Sequence, residues 1–331
     1  MEDAKSDDGA LSSLYHSSFW AKAVFDGFKV ETNFIITRNL SKKVVAVTPI
    51  FQRKKFGLKL VGSPLRGTFT EYCGTVFLET LNPKKQTNIM CEHIKLCCEL
   101  GFSYIEFGLK YDLSSDFTLI DNCFKKLNFE YSRRPSLLID LQKSSEEIWH
   151  GMESRARGAI RKAEKAGVVC RLEDFDDLFG TYHELVSKTF SRQSLAIPHS
   201  EESYKALAKH VFSNEKLLFV VARRNEEMLS AGIFLIDGDR IVFHSGSSTL
   251  QGNKLCASSA VQWFVIKQAM LLGLREYDFG GTGIEAIDKF KKSFGGEPVD
   301  HHRWVRKKFW VKAASSLVTF LASKGWLRIF S

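Results

Sequence analysis
Paired cysteines, an apolar leader and an apolar run of membrane-spanning length are all missing from this chain of 331 residues. The seven cysteines (Cys73, Cys91, Cys97, Cys98, Cys123, Cys170 and Cys256) are odd in number and form no C-x-x-C pair. A disulfide framework and a zinc site are thereby excluded, and reduced thiols packing as small apolar residues are expected. Cys91, Cys97 and Cys98 share one helical pattern with His93 but face no second ligand cluster, so no metal is expected. The start, MEDAKSDD, is acidic and has no apolar segment, which excludes a secretory signal and places the protein in the cytoplasm. Phe309 to Ala322 is too short to span a bilayer and contains Lys312. Acids are missing after Asp300, whereas Arg303, Arg306, Lys307, Lys308, Lys312, Lys324 and Arg328 follow it.

What is present starts with charge. The formal net charge of +9 favours an anionic partner: nucleic acid, a phosphorylated substrate or a lipid surface. In the basic end, Trp310, Leu317, Phe320, Leu321 and Trp326 are interspersed with cations. Such a segment either docks peripherally on the inner face of an anionic membrane or packs as a last strand and helix. No interleaved basic and aromatic nucleic-acid motif is visible.

The chain also repeats itself. Phe34 to Arg38 and Val44 to Phe51 are β-rich runs about the turn Asn39 to Lys43. Leu217 to Arg223 and Leu229 to Ile236 repeat that arrangement, and Ile241 to Ser245 adds a third run after Asp237-Gly238-Asp239. A helical pattern, Asn88 to Leu100, leads into "LGFSYIEFG"; another, Ser258 to Leu272, leads into "LGLREYDFG". Each is followed by a related segment, "IDNCFKKLNFE" from Ile120 and "IDKFKKSFGGE" from Ile287. The common order predicts two similar α/β domains. Between them, "SSEEIWHGMESRARGAIRKAEKAGV" reads as a helix with a capping box at Ser144 and Glu147 and a stop at Gly167. Its apolar stripe is Ile148, Met152, Ala156, Ala159, Ile160 and Ala163, and Arg157, Arg161 and Lys165 share another face.

In "YDFGGTGIEAIDKFKKSFGG", Gly281, Gly283 and Ala286 fit the relaxed dinucleotide pattern G-x-G-x-x-A. That pattern belongs to the first unit of a parallel sheet, with further strands after it. Here it comes late, with one convincing strand remaining, around Arg303 to Trp310. The glycines therefore read as a turn at a strand end, where they supply positive φ or keep a crevice open for backbone amides to meet a substrate.

The order of elements resembles the GNAT acyltransferase fold. "SRARGAIRKAEKAGV" (Ser154 to Val168) and "REYDFGGTGIEAIDKFKKSFGGEPV" (Arg275 to Val299) resemble the tandem-GNAT superfamily of Fem-type peptidoglycan-bridge aminoacyltransferases and CelD/BcsL-type acetyltransferases. The fold class this implies is α/β, in its α+β form. Two GNAT-like domains, 1–143 and 144–331, would each hold a mixed, mostly antiparallel sheet with flanking helices. The implied activity is N-acyl transfer from acyl-CoA, or from an aminoacyl-tRNA, to an amine of a small, nucleotide-linked or lipid-linked envelope or surface-polysaccharide precursor. Neither a metal nor a redox cofactor is implied. A catalytically silent GNAT-like binding module is the reading from another class.

By the same resemblance Phe290 shapes an acyl-donor channel, and Lys291 stabilises the tetrahedral oxyanion or holds a donor phosphate. The first copy has "FKK" as well, at Phe124, Lys125 and Lys126, so a plain amphipathic helix remains open. Asp278 either orients the acceptor amine or caps the next helix. His244 and Ser245 fall where the GNAT fold binds the acyl carbonyl at a strand bulge; His244 is a candidate catalyst or a core histidine. Glu285, one helical turn from Asp288, is a candidate base or a solvated carboxylate. Arg157, Arg161 and Lys165 would meet an anionic acceptor or donor phosphates, or simply form a solvated face. Gln251, Gly252 and Lys254, with Ser245, would hold the donor, although the adjacent Gln251 and Gly252 break the usual [Q/R]-x-x-G-x-[G/A] spacing. If Tyr204 matches the tyrosine with which shorter Fem-type enzymes bind a nucleotide-muramyl peptide, Ser200 replaces the arginine one turn before it, which argues against that acceptor. No long charged coiled-coil arm interrupts the second copy.

Overall fold
The structure is a computed structural model that describes residues 13–55, 57–111, 116–192, 194–281, 285–309 and 311. The described residues pack as two compact units: those up to Arg134 together with those from Asp300 onward, and Pro135–Val299. The sequence division at 143/144 falls within the second of these.

The first unit opens with α1 (Ser18–Phe28), capped by the Ser17 hydroxyl. Strands β1 (Glu31–Arg38) and β2 (Val44–Lys55) form an antiparallel hairpin in which the Asn39 side chain accepts the Lys43 N–H at 3.0 Å. β3 (Leu58–Ser63) and the short β4 (Val76–Phe77) both pair antiparallel with β2. Helix α2 (Pro83–Glu99) starts with Asn82 as cap and proline in its first turn, where the missing N–H costs nothing. It leads to β5 (Tyr104–Leu109), parallel to β3, then α3 (Phe117–Lys126) and β6 (Glu130–Asp140). Cys97 is fully buried and packs as a small apolar residue; all seven cysteines are free thiols.

The second unit begins within β6. Helices α4 (Ser145–Gly151) and α5 (Ser154–Lys165) follow, then β7 (Val169–Leu172), α6 (Phe175–Arg192) and α7 (Glu201–His210). The main sheet comprises β8 (Leu217–Arg224), β9 (Glu227–Asp237) and β10 (Arg240–Ser248). After it come α8 (Leu250–Lys254), α9 (Ala257–Leu271), β11 (Glu276–Asp278) and α10 (Glu285–Lys292). The strand order is β7-β8-β9-β10-β11-β6. Among the described residues these neighbours pair antiparallel, except β10 with β11. Each unit thus has the expected mixed, mostly antiparallel sheet with flanking helices.

Two expectations are corrected. The basic linker is not one helix: Met152 and Glu153 are extended, so α4 and α5 are separate. The capping box at Ser144 and Glu147 is present, and Gly167 ends α5 with φ +75°. The break lets Ile148 and Met152 both enter the core below α9 alongside Ala156, Ile160 and Ala163. The last strand, β12 (Glu297–Lys307), does not close the second unit. Its residues His302 to Lys307 run antiparallel to β5, while Leu138 to Asp140 of β6 pair with β11. Trp304 accounts for this. It is fully buried in the first unit, stacked 4.5 Å from Phe124, with its indole N–H donated to Asp121 at 2.9 Å.

Candidate active site
The candidate site lies where the second unit's one parallel pair parts. β10 and β11 run together from Arg240/Glu276 to Val242/Asp278. Beyond that point β10 bulges: Phe243 pairs with Phe234 and Ser245 with Ile233, which leaves His244 as the extra residue. Bulges re-aim side chains and open a ladder, and they recur beside active sites. β11 meanwhile ends in a turn. Gly280 has φ +68°, and a Cβ there would sit 3.0 Å from the Phe243 carbonyl oxygen, so glycine is required twice over. The left-handed glycine is Gly280 rather than Gly281; Gly283 lies outside the described residues.

Lys291, on α10, reaches this fork. Its Nζ donates to the carbonyl oxygens of Gly281 at 2.6 Å and Gly280 at 3.4 Å, and stands 5.9 Å from the Phe243 ring. The residue is 6% exposed. Burying an ammonium is costly unless oxygen acceptors replace water, and the two carbonyls do so. The crevice therefore shows carbonyls, not amides, to this cation. Lys125 of the other "FKK" segment differs: its side chain is 65% exposed and paired with Asp121 one turn back at 2.6 Å. In this copy the matching acid, Asp288, stands three residues before the lysine rather than four.

Asp278 is buried below the turn. Its carboxylate accepts the Gly280 N–H at 2.8 Å and lies 3.4 Å from Arg240, whose guanidinium also binds Glu276 at 2.6 Å. Ser136, from β6, hydrogen-bonds both Asp278 and the Gly280 carbonyl, the latter at 2.9 Å. Asp278 therefore holds the turn that follows β11. Burial, with His199 adding to it, pushes the His244 imidazole down to about 3, so the ring is neutral at pH 7 and a weak base. The Ser245 hydroxyl lies 2.8 Å from that of Tyr182.

The other candidates are spread over the unit. Phe290 packs on Phe294 against the core, 5.3 Å between rings. Glu285 is exposed on α10. Arg157 donates to the carbonyls of His150 (3.2 Å) and Met152 at the end of α4, where a cation meets the negative helix end. Arg161 is exposed and rests 5.3 Å from the Trp149 ring; Lys165 is exposed. Gln251 and Lys254 are exposed on α8, and Gly252 is buried with its N–H donated to Thr249 at 2.9 Å. Tyr204 is buried against Tyr182 in the α6–α7 layer. Trp310, Leu317, Phe320, Leu321 and Trp326 lie outside the described residues, as does the acidic start.

Sequence reasoning missed Ser136, Arg240 and Tyr182. Arg240 left a trace: the acids of "EYD" alternate with Tyr277 on one face of β11, and such a face needs a cationic neighbour. Ser136 left none.

This geometry has known counterparts. Residues 151–292 match the acetyltransferase (GNAT) domain model. The solved structure of FemX superposes with a TM-score of 0.71 at 14% identity, covering 94% of this chain and 96% of that one. The chain has the fold of tandem GNAT proteins. A tandem GNAT protein from the clavulanic acid biosynthesis pathway is also similar, with a TM-score of 0.52 at 10% identity over 85% of this chain and 84% of its own. In sequence, the aminoacyltransferase FemA of Staphylococcus epidermidis is 28% identical over 85 residues, 23% of this chain. The chain spans about a fifth of the length of the curated relatives it matches. Residues 151–292 are thus similar to GNAT acetyltransferase domains, within a chain that has the tandem-GNAT fold. Among the described residues, no helix is long and apolar enough to cross a membrane.

Proposed function
We propose that the chain transfers an acyl group from acyl-CoA to an amine of a cell-envelope or surface-polysaccharide precursor, with the fork between β10 and β11 as the reaction site. The observation that carries this reading is the buried ammonium of Lys291 at that fork, with its solvated counterpart Lys125 as the contrast. In the reaction, the neutral amine nitrogen attacks the acyl carbonyl and the carbonyl oxygen takes the negative charge. The bond to the donor sulfur then breaks, and the amine's proton leaves with the thiol. A preorganised cation beside the developing oxyanion lowers that barrier. Lys291 serves in this role, and Phe290 lines the approach from α10. The bulge at His244 and Ser245 faces the acyl carbonyl.

The likeness to the aminoacyltransferase FemA supports a second reading, aminoacyl transfer, for which the donor would be an aminoacyl-tRNA with a ribose oxygen as the leaving atom. Both readings use the same fork. A mass-spectrometric search for acylated amines with a panel of acyl-CoAs and charged tRNAs separates them. A product that ribonuclease abolishes identifies the tRNA donor, and one that it spares identifies coenzyme A. No product with either donor would overturn the proposal. The protein is expected to act in the cytoplasm, and the basic end supports a peripheral contact with anionic lipid as part of the same proposal.

A further inference from the structure
Lys291 is held by carbonyl oxygens, and these fix a cation only as firmly as their own peptide planes are fixed. The plane between Gly280 and Gly281 follows a left-handed glycine, which has no side chain to anchor it. Neighbours supply the anchors. The Gly280 N–H is taken by Asp278 at 2.8 Å, closing an Asx turn, and Arg240 steadies Asp278 from 3.4 Å. The Gly280 carbonyl receives the Ser136 hydroxyl at 2.9 Å and Lys291 Nζ at 3.4 Å, so serine and lysine share one acceptor. Ser136 is 1% exposed and also hydrogen-bonded to Asp278. Its one hydroxyl proton is shared between acceptors at both ends of the turn: the carboxylate that holds the N–H and the carbonyl that the ammonium also meets.

We propose that Ser136 is a positioning residue for Lys291. It aims the Gly280 carbonyl, and with it the following Gly281 carbonyl, at the place the ammonium occupies, and it touches no reacting atom. The catalytic consequence rests on the oxyanion role given to Lys291 above; the placement itself can be measured without any substrate.

Competitive acetylation of the full-length protein with acetic anhydride across the alkaline range, read by mass spectrometry of the Lys291 peptide, provides that measurement. Wild type and Ser136→Ala are compared, with the exposed Lys125 as internal reference. A single hydrogen bond is worth about 0.5–1.5 kcal/mol, a factor of about two to thirteen. Ser136→Ala is therefore expected to raise Lys291 labelling by about that factor and to shift its pH profile, leaving Lys125 unchanged. Identical Lys291 profiles in folded Ser136→Ala and wild type would overturn the proposal. Should the alanine variant not fold, Ser136→Cys, equal in shape and weaker as a donor, is read instead, with the same two outcomes. Where transfer activity is found, Ser136→Ala should lower kcat and leave the donor KM unchanged. If Lys291→Ala retains full activity, the oxyanion role fails, while the labelling still decides the role of Ser136.

Discussion

Lys291 Nζ stands 2.6 Å from the carbonyl oxygen of Gly281, ten residues before it in the chain, at the point where two parallel strands separate. Lys125 occupies the matching place of the other repeat and extends into solvent beside Asp121. One motif thus has two environments, and a pair of substitutions tells them apart. Lys291→Ala should lower kcat by about a hundred- to a thousandfold, the usual cost of deleting an oxyanion donor. Lys125→Ala should leave kcat unchanged. Steady-state kinetics on the transfer reaction gives both numbers, and equal rates for all three proteins would remove Lys291 from the mechanism.

Arg157 is expected to act on stability before it acts on any ligand. It donates to the terminal carbonyls of α4, and hydrogen bonds to a charged group are worth about 2 kcal/mol. Arg157→Ala should lose about that much in urea unfolding. Arg161→Ala gives up an exposed contact with Trp149 and should lose less than about 1 kcal/mol. Equal losses in the two variants would contradict the capping role.

Two glycines make opposite predictions. A Cβ at Gly252 would lie 2.0 Å from the Leu229 carbonyl, so Gly252→Ala must push α8 off β9 and destabilise by about 2 kcal/mol or more. Gly158 is exposed within α5, with nothing within 4 Å of a Cβ, and Gly158→Ala should stabilise by about 0.5–1 kcal/mol. Thermal unfolding of the two variants checks both signs. If Gly252→Ala were as stable as wild type, Gly252 would not be explained by close packing.

Acid sensitivity should centre on His93. The ring is 4% exposed, between the Thr37 and Thr48 hydroxyls at 2.7 Å each, and burial pushes it down to about 4 despite the opposing charge of Glu92. An unfolded histidine titrates near 6.5, so below that pH the unfolded chain binds the proton more readily than the folded one. Stability is therefore complete above about 6.5 and falls as pH drops, by about 3 kcal/mol at pH 4 from this residue. His93→Gln, although less stable at pH 7, should show a shallower decline over that window in unfolding experiments. A decline as steep as wild type would assign the effect elsewhere.

The repeat was legible because its signals are local: hairpin turns, helix caps and the two "FG" strand ends all lie within a few residues. Met152 was not legible as a break, because it continues the apolar stripe of a single helix, and the extended backbone comes from the way the core receives it. Nor did the sequence distinguish which β5-like strand Trp304 would join, since alternation specifies a face and not a partner. In the site, Lys291 was found by its motif, but its burial was not legible, because Lys125 carries the same motif and stays in solvent. Ser136 could not be found, because its partners lie more than a hundred residues away.

The path of β12 sets an order of events during synthesis. Pro135–Val299 is one uninterrupted stretch, and all of it has been synthesised before His302 is added. The unit that begins first must keep the edge of β5 open until His302 to Lys307 arrive, nearly two hundred residues later. An exposed strand edge is a template for wrong pairing. A chain stalled or cleaved just before β12 would thus have one finished unit and one with an open edge. A break near one end of the chain therefore harms the unit that begins at the other.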